Sequence, residues 1–177
     1  MLRARNHRPA PAGLALILAA GLAACSETPT DLESATADDA AALLAATPAS
    51  VLDAMEEAIV DEYRAEMTYR VVIETFGQVL PFINIINAEV RHAEALALLY
   101  QRRGLPVPAN EWTAADIPVF ASVTEACQIG VVAEIDNAAI YDGYLDLDLP
   151  ADVRQVFQSN RDASVYKHLP AFQRCAG

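Results

Sequence analysis

The stretch Ala88-Glu89-Val90-Arg91-His92 places a carboxylate and an imidazole three residues apart. It lies in a segment, from Phe82 to Leu99, in which apolar residues recur every three or four positions. That spacing is typical of an amphipathic helix, and residues three apart share one helix face. Glu89 and His92 therefore fall on the face that this helix is expected to bury.

The same kinds of residue recur elsewhere in the chain, as acids, tyrosines and a second imidazole. Glu62 precedes Tyr69 by seven residues, and Glu134 precedes Tyr141 by the same interval. His168 lies near the C-terminal end. Each falls in phase with apolar residues at helical spacing, so four predicted helices each present an acid or an imidazole to the core. The repeated order of residue types predicts one shared polar layer.

A buried polar layer of this kind needs a partner for its charge. A bare buried carboxylate costs several kcal/mol unless it is paired or neutralised. Three carboxylates at one depth also repel one another, and two imidazoles do not compensate all three. Carboxylate oxygens and imidazole nitrogens are ligands of iron, manganese and zinc, so a cation would resolve the conflict. The candidate metal ligands are Glu62, Glu89, His92, Glu134 and His168.

Each candidate also has a structural interpretation. The acids could lie at the edge of the apolar face and point to water, and the histidines could be hydrogen-bonded core residues. Glu66, one helical turn beyond Glu62, is a spare carboxylate if it points inwards and an edge acid if it does not. Tyr69 and Tyr141 are expected to be core aromatics whose hydroxyls could each donate to a nearby carboxylate.

Helix-start and helix-stop signals divide residues 48–177 into four helices. Glycines end the first two at Gly77 and Gly104, and only the connection at 105–121 is long. No alternating strand pattern occurs, so we predict an all-α four-helix bundle made of two antiparallel hairpins and a long crossover. The predicted helix starts, three prolines and one capping box, are Pro48, Pro81, Pro150 and Ser122-Val123-Thr124-Glu125.

These residues resemble a known group of helical metal proteins, the ferritin-like superfamily. They are most similar to a small bacterial branch, the domain of unknown function 2202 family, across residues 50–175. The resemblance implies a ferritin-like bundle that holds one or two metal ions between its helices, with iron as the expected metal and manganese or zinc as alternatives. The segments that carry it are Asp61-Glu62-Tyr63, Phe76-Gly77, Pro81 to Ile85, Ala88 to His92, and His168 to Phe172.

The resemblance implies a role for each ligand, but the last helix departs from the family pattern. Val165 stands where a second bridging glutamate belongs, and Ser164 is the nearest polar residue. Asp162 lies about 120° round the helix from His168. A mononuclear or asymmetric site therefore stays open beside a symmetric pair of ions. Pro170 should bend this helix, because it lacks a donor for the preceding turn. The implied roles are terminal ligands at Glu62 and Glu134, a bridging carboxylate at Glu89, and one imidazole per ion at His92 and His168.

The N-terminal region has the order of features found in a bacterial lipoprotein signal peptide. A basic start and a short apolar run precede Leu22-Ala23-Ala24-Cys25, which resembles a lipobox. We predict an export signal at 1–24, a tether lipidated at Cys25 over 25–47, and a folded domain at 48–177. An ordinary signal peptide is the alternative. The protein is thus expected at the bacterial cell envelope, lipid-anchored to a membrane, with its domain in the periplasm or outside.

Net charge excludes one class of partner. The 177-residue chain has a formal net charge of −12, which becomes −15 when the three arginines of the export signal are removed. Such an acidic surface repels nucleic acid, whose recognition requires basic patches. We therefore expect no nucleic-acid partner, and the identity of protein partners is left open, including a second copy in a homodimer.

Two further cysteines provide a check on the helix arrangement. Cys127 precedes Glu134 by seven residues, and Cys175 follows His168 by seven residues. If the third and fourth helices are antiparallel neighbours, both thiols lie at the same depth. An exported protein is expected to pair them as a disulfide, with buried free thiols as the alternative.

Two functional hypotheses follow from the sequence. In the first, the chain is a lipid-anchored, ferritin-like metal-binding protein that oxidises Fe(II) or reduces peroxide, and so acts as a metal-dependent oxidoreductase. In the second, it is a structural or interaction bundle that keeps a vestigial metal site. The absent fourth carboxylate makes metal binding a firmer expectation than any particular catalysis.

Overall fold

The computed structural model describes residues 36–177, which are all-helical with no strand. A π-helical turn at Ser164–His168 joins the last two helices without a break, and a short 3-10 turn at Ala114–Asp116 lies in the long connection. The predicted signal peptide and the lipidation site Cys25 lie outside the described residues. The helices are α1 (Ala37–Ala45), α2 (Ala49–Phe76), α3 (Phe82–Arg102), α4 (Val123–Leu145), α5 (Ala151–Ala163) and α6 (Leu169–Ala176).

The long helices pack as antiparallel neighbours. In the first hairpin, α2 returns through a short turn into α3, and the ring of Tyr69 packs on Phe82 with centroids 5.6 Å apart. In the second hairpin, α4 returns into the continuous α5–α6 segment, where Tyr144 contacts Phe157. Helices α2 and α4 contact each other, as do α3 and α5. The prediction of an all-α fold is confirmed for this part of the chain.

The apolar core is divided in two by a polar layer. One cluster includes Met55, Leu96 and Phe157. The other includes Phe82 and Phe172. The candidate ligands lie between the two clusters on every long helical segment, so each of these segments is apolar, then polar, then apolar along its inner face. The cores on both sides hold the polar layer in place by hydrophobic burial.

The helix ends follow most of the predicted signals. Gly77 and Gly104 have φ of 84° and 65°, a left-handed conformation that favours glycine after a helix end. Ser122 accepts a hydrogen bond from the Glu125 N–H, as a cap should. The Glu125 carboxylate, however, accepts from Ala121 and not from Ser122, so the predicted capping box is incomplete. Helix α4 continues from this cap to Leu145.

Thr47 directly precedes the predicted helix start Pro48 but does not cap α2. Helix α2 begins at Ala49, and the Thr47 hydroxyl instead donates to the Leu43 carbonyl of α1 at 2.7 Å. The same hydroxyl accepts from the buried Arg103 guanidinium, which also makes two 3.0 Å contacts with the Asp152 carboxylate. The C-terminal part of the predicted tether is therefore a helix joined to α3 and α5 by hydrogen bonds.

A π turn directly precedes Pro170, the residue at which the sequence predicts a bend. The Leu169 N–H donates to the Ser164 carbonyl five residues back, in the wider ring of a π turn. Pro170 follows directly and needs no partner for a backbone N–H. Ser164 and His168, at the two ends of the π turn, are both buried.

Two close contacts fasten α6 to α4. Cys127 and Cys175 form the predicted disulfide, with Cα atoms 5.7 Å apart. One turn further along α4, Gly130 lies under the ring of Phe172. A Cβ at Gly130 would be 2.6 Å from a ring carbon, so only glycine allows this approach. Among residues 36–177, no helix is long and apolar enough to cross a membrane.

Candidate metal centre

The structure brings all five predicted ligands together in the polar layer. They form two groups of three, in each of which one ligand atom per residue lies within 4.8 Å of the others. Both groups contain two carboxylates and one imidazole, and Glu89 belongs to both. We call them the first group (Glu62, Glu89 and His92) and the second group (Glu89, Glu134 and His168).

Glu89 turns one oxygen to each group. The Nδ1 atom of His92 lies 2.9 Å from Glu89 Oε2 and 3.3 Å from the nearer oxygen of Glu62. The Nδ1 atom of His168 lies 3.1 Å from Glu89 Oε1 and 3.3 Å from Glu134 Oε2. The two rings stack with centroids 5.5 Å apart. A carboxylate with this placement can bridge two neighbouring ions.

Three buried ligand atoms have charged neighbours at 3.1–3.3 Å but no well-aligned hydrogen bond. These atoms are Glu62 Oε2, Glu89 Oε1 and His168 Nδ1, and the three residues are all buried. An unsatisfied buried polar atom costs about 1–3 kcal/mol, and more when it is charged. All three belong to the two groups and face other donor atoms, so a cation among them would satisfy them together. The residues present therefore fit a metal ion.

The two tyrosines hold the terminal carboxylates across the helix pair. Tyr69 on α2 donates to Glu134 on α4 at 2.6 Å, and Tyr141 on α4 donates to Glu62 on α2 at 2.5 Å. Burial raises the pKa of both hydroxyls, and the nearby carboxylates raise it further. Both tyrosines therefore stay protonated as donors, and each fixes one carboxylate oxygen while the other faces the ligand group.

A hydrogen-bonded network of two amides, a hydroxyl and the Asp61 carboxylate lies beside the ligand groups. Ser164 is buried, and its hydroxyl donates to the Asn137 side chain at 2.7 Å. Asn137 in turn donates to Asp61 at 2.9 Å, and Asn160 donates to the Tyr141 hydroxyl at 3.1 Å. Ser164 occupies the inner face and Val165 is only partly buried. Among residues 36–177, no carboxylate beyond Glu62, Glu89 and Glu134 joins the two ligand groups.

Sequence reasoning missed this amide network. Asn137 lies three residues after Glu134 and so shares its face, which is the signal that could have indicated it. Asp61 gives no such signal, because it neighbours Glu62 and lies on the edge of the stripe. Burial raises the pKa of the Asp61 carboxyl, although Asn137 and Arg64 partly oppose this.

Glu66 does not join the ligand groups. Its carboxylate accepts from Arg70 at 2.5 Å, one turn along the same helix, and it belongs to neither group of ligand atoms. The interpretation as an edge acid is therefore the one that the structure favours over a spare ligand.

The two imidazoles are strongly basic in the metal-free layer. Burial lowers the pKa of His92, but contacts with Glu62 and Glu89 raise it to about 9. Burial likewise lowers the pKa of His168, and Glu134 and Glu89 raise it to about 10. Both rings therefore carry an extra proton at neutral pH when no metal is bound. A metal that binds their Nδ1 atoms must displace those protons.

No protein-family model, curated protein or solved structure matches this chain. Two carboxylates and one imidazole per group form a mixed oxygen and nitrogen donor set that suits iron, manganese or zinc. The geometry therefore indicates where an ion could be held, and the donor atoms limit its class.

Proposed function

We propose that this chain is a metal-binding protein that holds one or two transition-metal ions, most suitably iron, in its polar layer. The observation that carries the proposal is Glu89, whose two oxygens are divided between two groups of buried ligand atoms. Orphaned buried atoms in both groups support it. The identity of the metal rests on the donor set, which iron, manganese and zinc all tolerate.

We also propose that the fold is a ferritin-like four-helix bundle, as the domain of unknown function 2202 resemblance implies. The order of two antiparallel hairpins with a long connection between them supports this topology. So does the reciprocal pairing of each terminal glutamate with the tyrosine of the other repeat.

The activity that we propose is oxidation of Fe(II) as substrate by oxygen or peroxide. With peroxide, two Fe(II) ions each lose one electron, and one H₂O₂ takes both electrons and two protons to form two waters. Iron held here would supply this one-electron chemistry. The chain's own part is to orient three carboxylates between the two apolar cores, and to hold protons on His92 and His168 until the ion displaces them.

Anaerobic titration of metal-free protein with Fe(II), followed by metal analysis after dialysis, tests the proposal. Wild type should bind one or two ions per chain, and Glu89→Ala should bind none because it removes a ligand from both groups. Glu66→Ala is the matched control, since it deletes a carboxylate that is paired with Arg70 outside the groups. Oxygen or peroxide added to the loaded protein should then oxidise iron faster than in the Glu89→Ala sample. Equal binding by wild type and Glu89→Ala would refute the site.

A second candidate function is a structural or interaction bundle with a vestigial site. It is favoured by partial charge compensation within the layer, because two protonated imidazoles contact three carboxylates without any ion. The buried Ser164–Asn137 hydrogen bond beside the layer also joins two neutral groups. In that case, adding Fe(II), Mn(II) or Zn(II) should leave the thermal unfolding temperature unchanged, whereas a specific site raises it by mass action.

We further propose that the protein is lipid-anchored through Cys25 at the cell envelope. The supporting observation is the order of basic, apolar and lipobox-like segments before that cysteine. Intact mass of the exported protein tests it, because a mature chain that starts at a lipid-modified Cys25 has a distinct mass. A chain cut elsewhere and carrying a free Cys25 would contradict the proposal.

A further inference from the structure

A groove between α3 and the α5–α6 segment opens directly over the two imidazoles. Its volume is about 560 Å³, and His92 and His168 are both among its lining residues. This size falls in the range of about 300–1,000 Å³ that is typical of small-molecule sites. The groove is therefore large enough for an organic ligand as well as for water.

The charge of the groove is opposite to that of the chain. The chain has twice as many acidic as basic residues, yet no Asp or Glu lines the groove. Its cationic lining residues are Arg91 on α3 and Lys167 on the π turn, both exposed. Neither makes an ion pair with another residue in the range 36–177, unlike Arg64, Arg70 and Arg161. The groove is thus a cationic concavity on an acidic protein.

The other polar lining residues are neutral hydrogen-bonding groups. They are Asn84, Ser159 and Asn160, and the remainder of the lining is mainly small and apolar. The Asn84 amide and the Ser159 hydroxyl, next to two unpaired cations, match the oxygens of a carboxylate or phosphate group, whereas the Asn160 amide already donates to Tyr141. A long polyanion is a poor fit, because the acidic surface beyond the groove would repel it.

We propose that this groove binds a small molecule bearing carboxylate or phosphate groups, held by Arg91 and Lys167. Because it lies over His92 and His168, the bound anion would stand at the approach to the ligand groups, a part of the inference that rests on the proposed function. The anion site itself requires only the groove.

Calorimetric titration of metal-free protein with citrate, glycerol 3-phosphate and uncharged glycerol tests the groove. Citrate or glycerol 3-phosphate should bind while glycerol does not, and the stronger of the two identifies the preferred anion. The affinity should weaken with added NaCl. Arg91→Gln combined with Lys167→Gln should weaken anion binding at least tenfold. Arg102→Gln is the matched control, because it removes an exposed cation from the same helix outside the groove.

The outcomes separate this inference from the metal proposal. Anion binding that is lost in the double variant supports the groove even if wild type takes up no metal, in which case the metal proposal fails alone. Metal uptake without any anion binding overturns the groove alone. Anion binding that is equal in wild type and the double variant, with both folded by circular dichroism, also overturns it.

Discussion

The two hairpins supply the same kinds of ligand by different structural means. The first, α2–α3, presents Glu62, Glu89 and His92 from regular α-helices joined by a short turn. The second presents Glu134 from α4 and His168 from the end of a π turn, with a disulfide and a glycine contact fastening α6. The difference teaches that an inner face can present the same donor types from a regular α-helix or from a π turn, where Ser164 and His168 are both buried.

The largest expected effect comes from removing the fastening of the second hairpin. Cys127→Ala combined with Cys175→Ala should lower the free energy of unfolding by about 4 kcal/mol, because the disulfide closes a 48-residue separation in the unfolded chain. Urea unfolding followed by circular dichroism measures this. Wild type treated with reductant should shift to the same midpoint. A loss below about 1 kcal/mol would mean that packing alone holds α6, and the two hairpins would then differ less than we argue.

The next effect concerns the two ligand groups. Glu62→Ala should remove one ion and Glu134→Ala the other. Each loss of metal affinity should exceed the roughly 10–100-fold typical of a lost outer contact. Glu89→Ala should abolish binding of both ions. Anaerobic Fe(II) titration of the three variants measures the stoichiometry. If Glu62→Ala alone removes all bound metal, the centre is mononuclear and belongs to the first hairpin. Equal residual binding in both single variants supports two equivalent halves.

A smaller effect tests the close approach of α6 to α4. Gly130→Ala should destabilise the protein by about 1–3 kcal/mol, because the new Cβ would be 2.6 Å from the Phe172 ring. Gly143→Ala, in the same helix but with nothing within 4 Å, should stabilise it by about 0.5–1 kcal/mol through helix propensity. Thermal unfolding of both variants gives the two signs. Adding Phe172→Leu to Gly130→Ala should recover stability, and no recovery would argue against the clash.

These contrasts also indicate how far the sequence could predict the molecule. The phase of Glu62, Glu89 and Glu134 with their apolar neighbours predicts the inner faces, since helical spacing alone decides which residues share a side. The pairing of Cys127 with Cys175 follows from their equal distance to the ligand level, and the structure contains that disulfide.

The remainder depends on tertiary contacts that leave no local pattern. Pro170 predicts a disturbance of the helix, but the missing donor does not determine that it takes the form of a π turn at Ser164–His168. Similarly, two consecutive arginines end α3, and only Arg103 is buried, because Asp152 and Thr47 come from elements distant in sequence. Local sequence cannot distinguish the two arginines.

The smallest effect concerns the protons that His92 and His168 hold in the metal-free protein. In the metal-free protein the pKa of His92 is raised to about 9 and that of His168 to about 10, so each ring is charged at pH 7. An ion that binds Nδ1 releases about one proton from each imidazole. The metal affinity of each ligand group should therefore rise about tenfold per pH unit between pH 6 and pH 8. Calorimetry in two buffers of different ionisation enthalpy counts these protons. Glu134→Gln, which impairs only the second group, should reduce the count from about two to about one.

The protons on His92 and His168 also make the stability of the metal-free protein fall as pH rises. The raised pKa values mean that the folded, metal-free protein binds more protons than the unfolded chain, whose histidines titrate near 6.5. That contribution is fully present below pH 6.5 and is lost as pH rises through 9 to 10, so metal-free protein should unfold at a lower temperature at pH 9.5 than at pH 6.5. With metal bound the trend should weaken or invert, because the ion replaces the protons and binds more tightly as they leave. Parallel unfolding curves with and without metal across this range would show that the ion does not compete for the imidazoles, and the two halves would then be held by charge pairing alone.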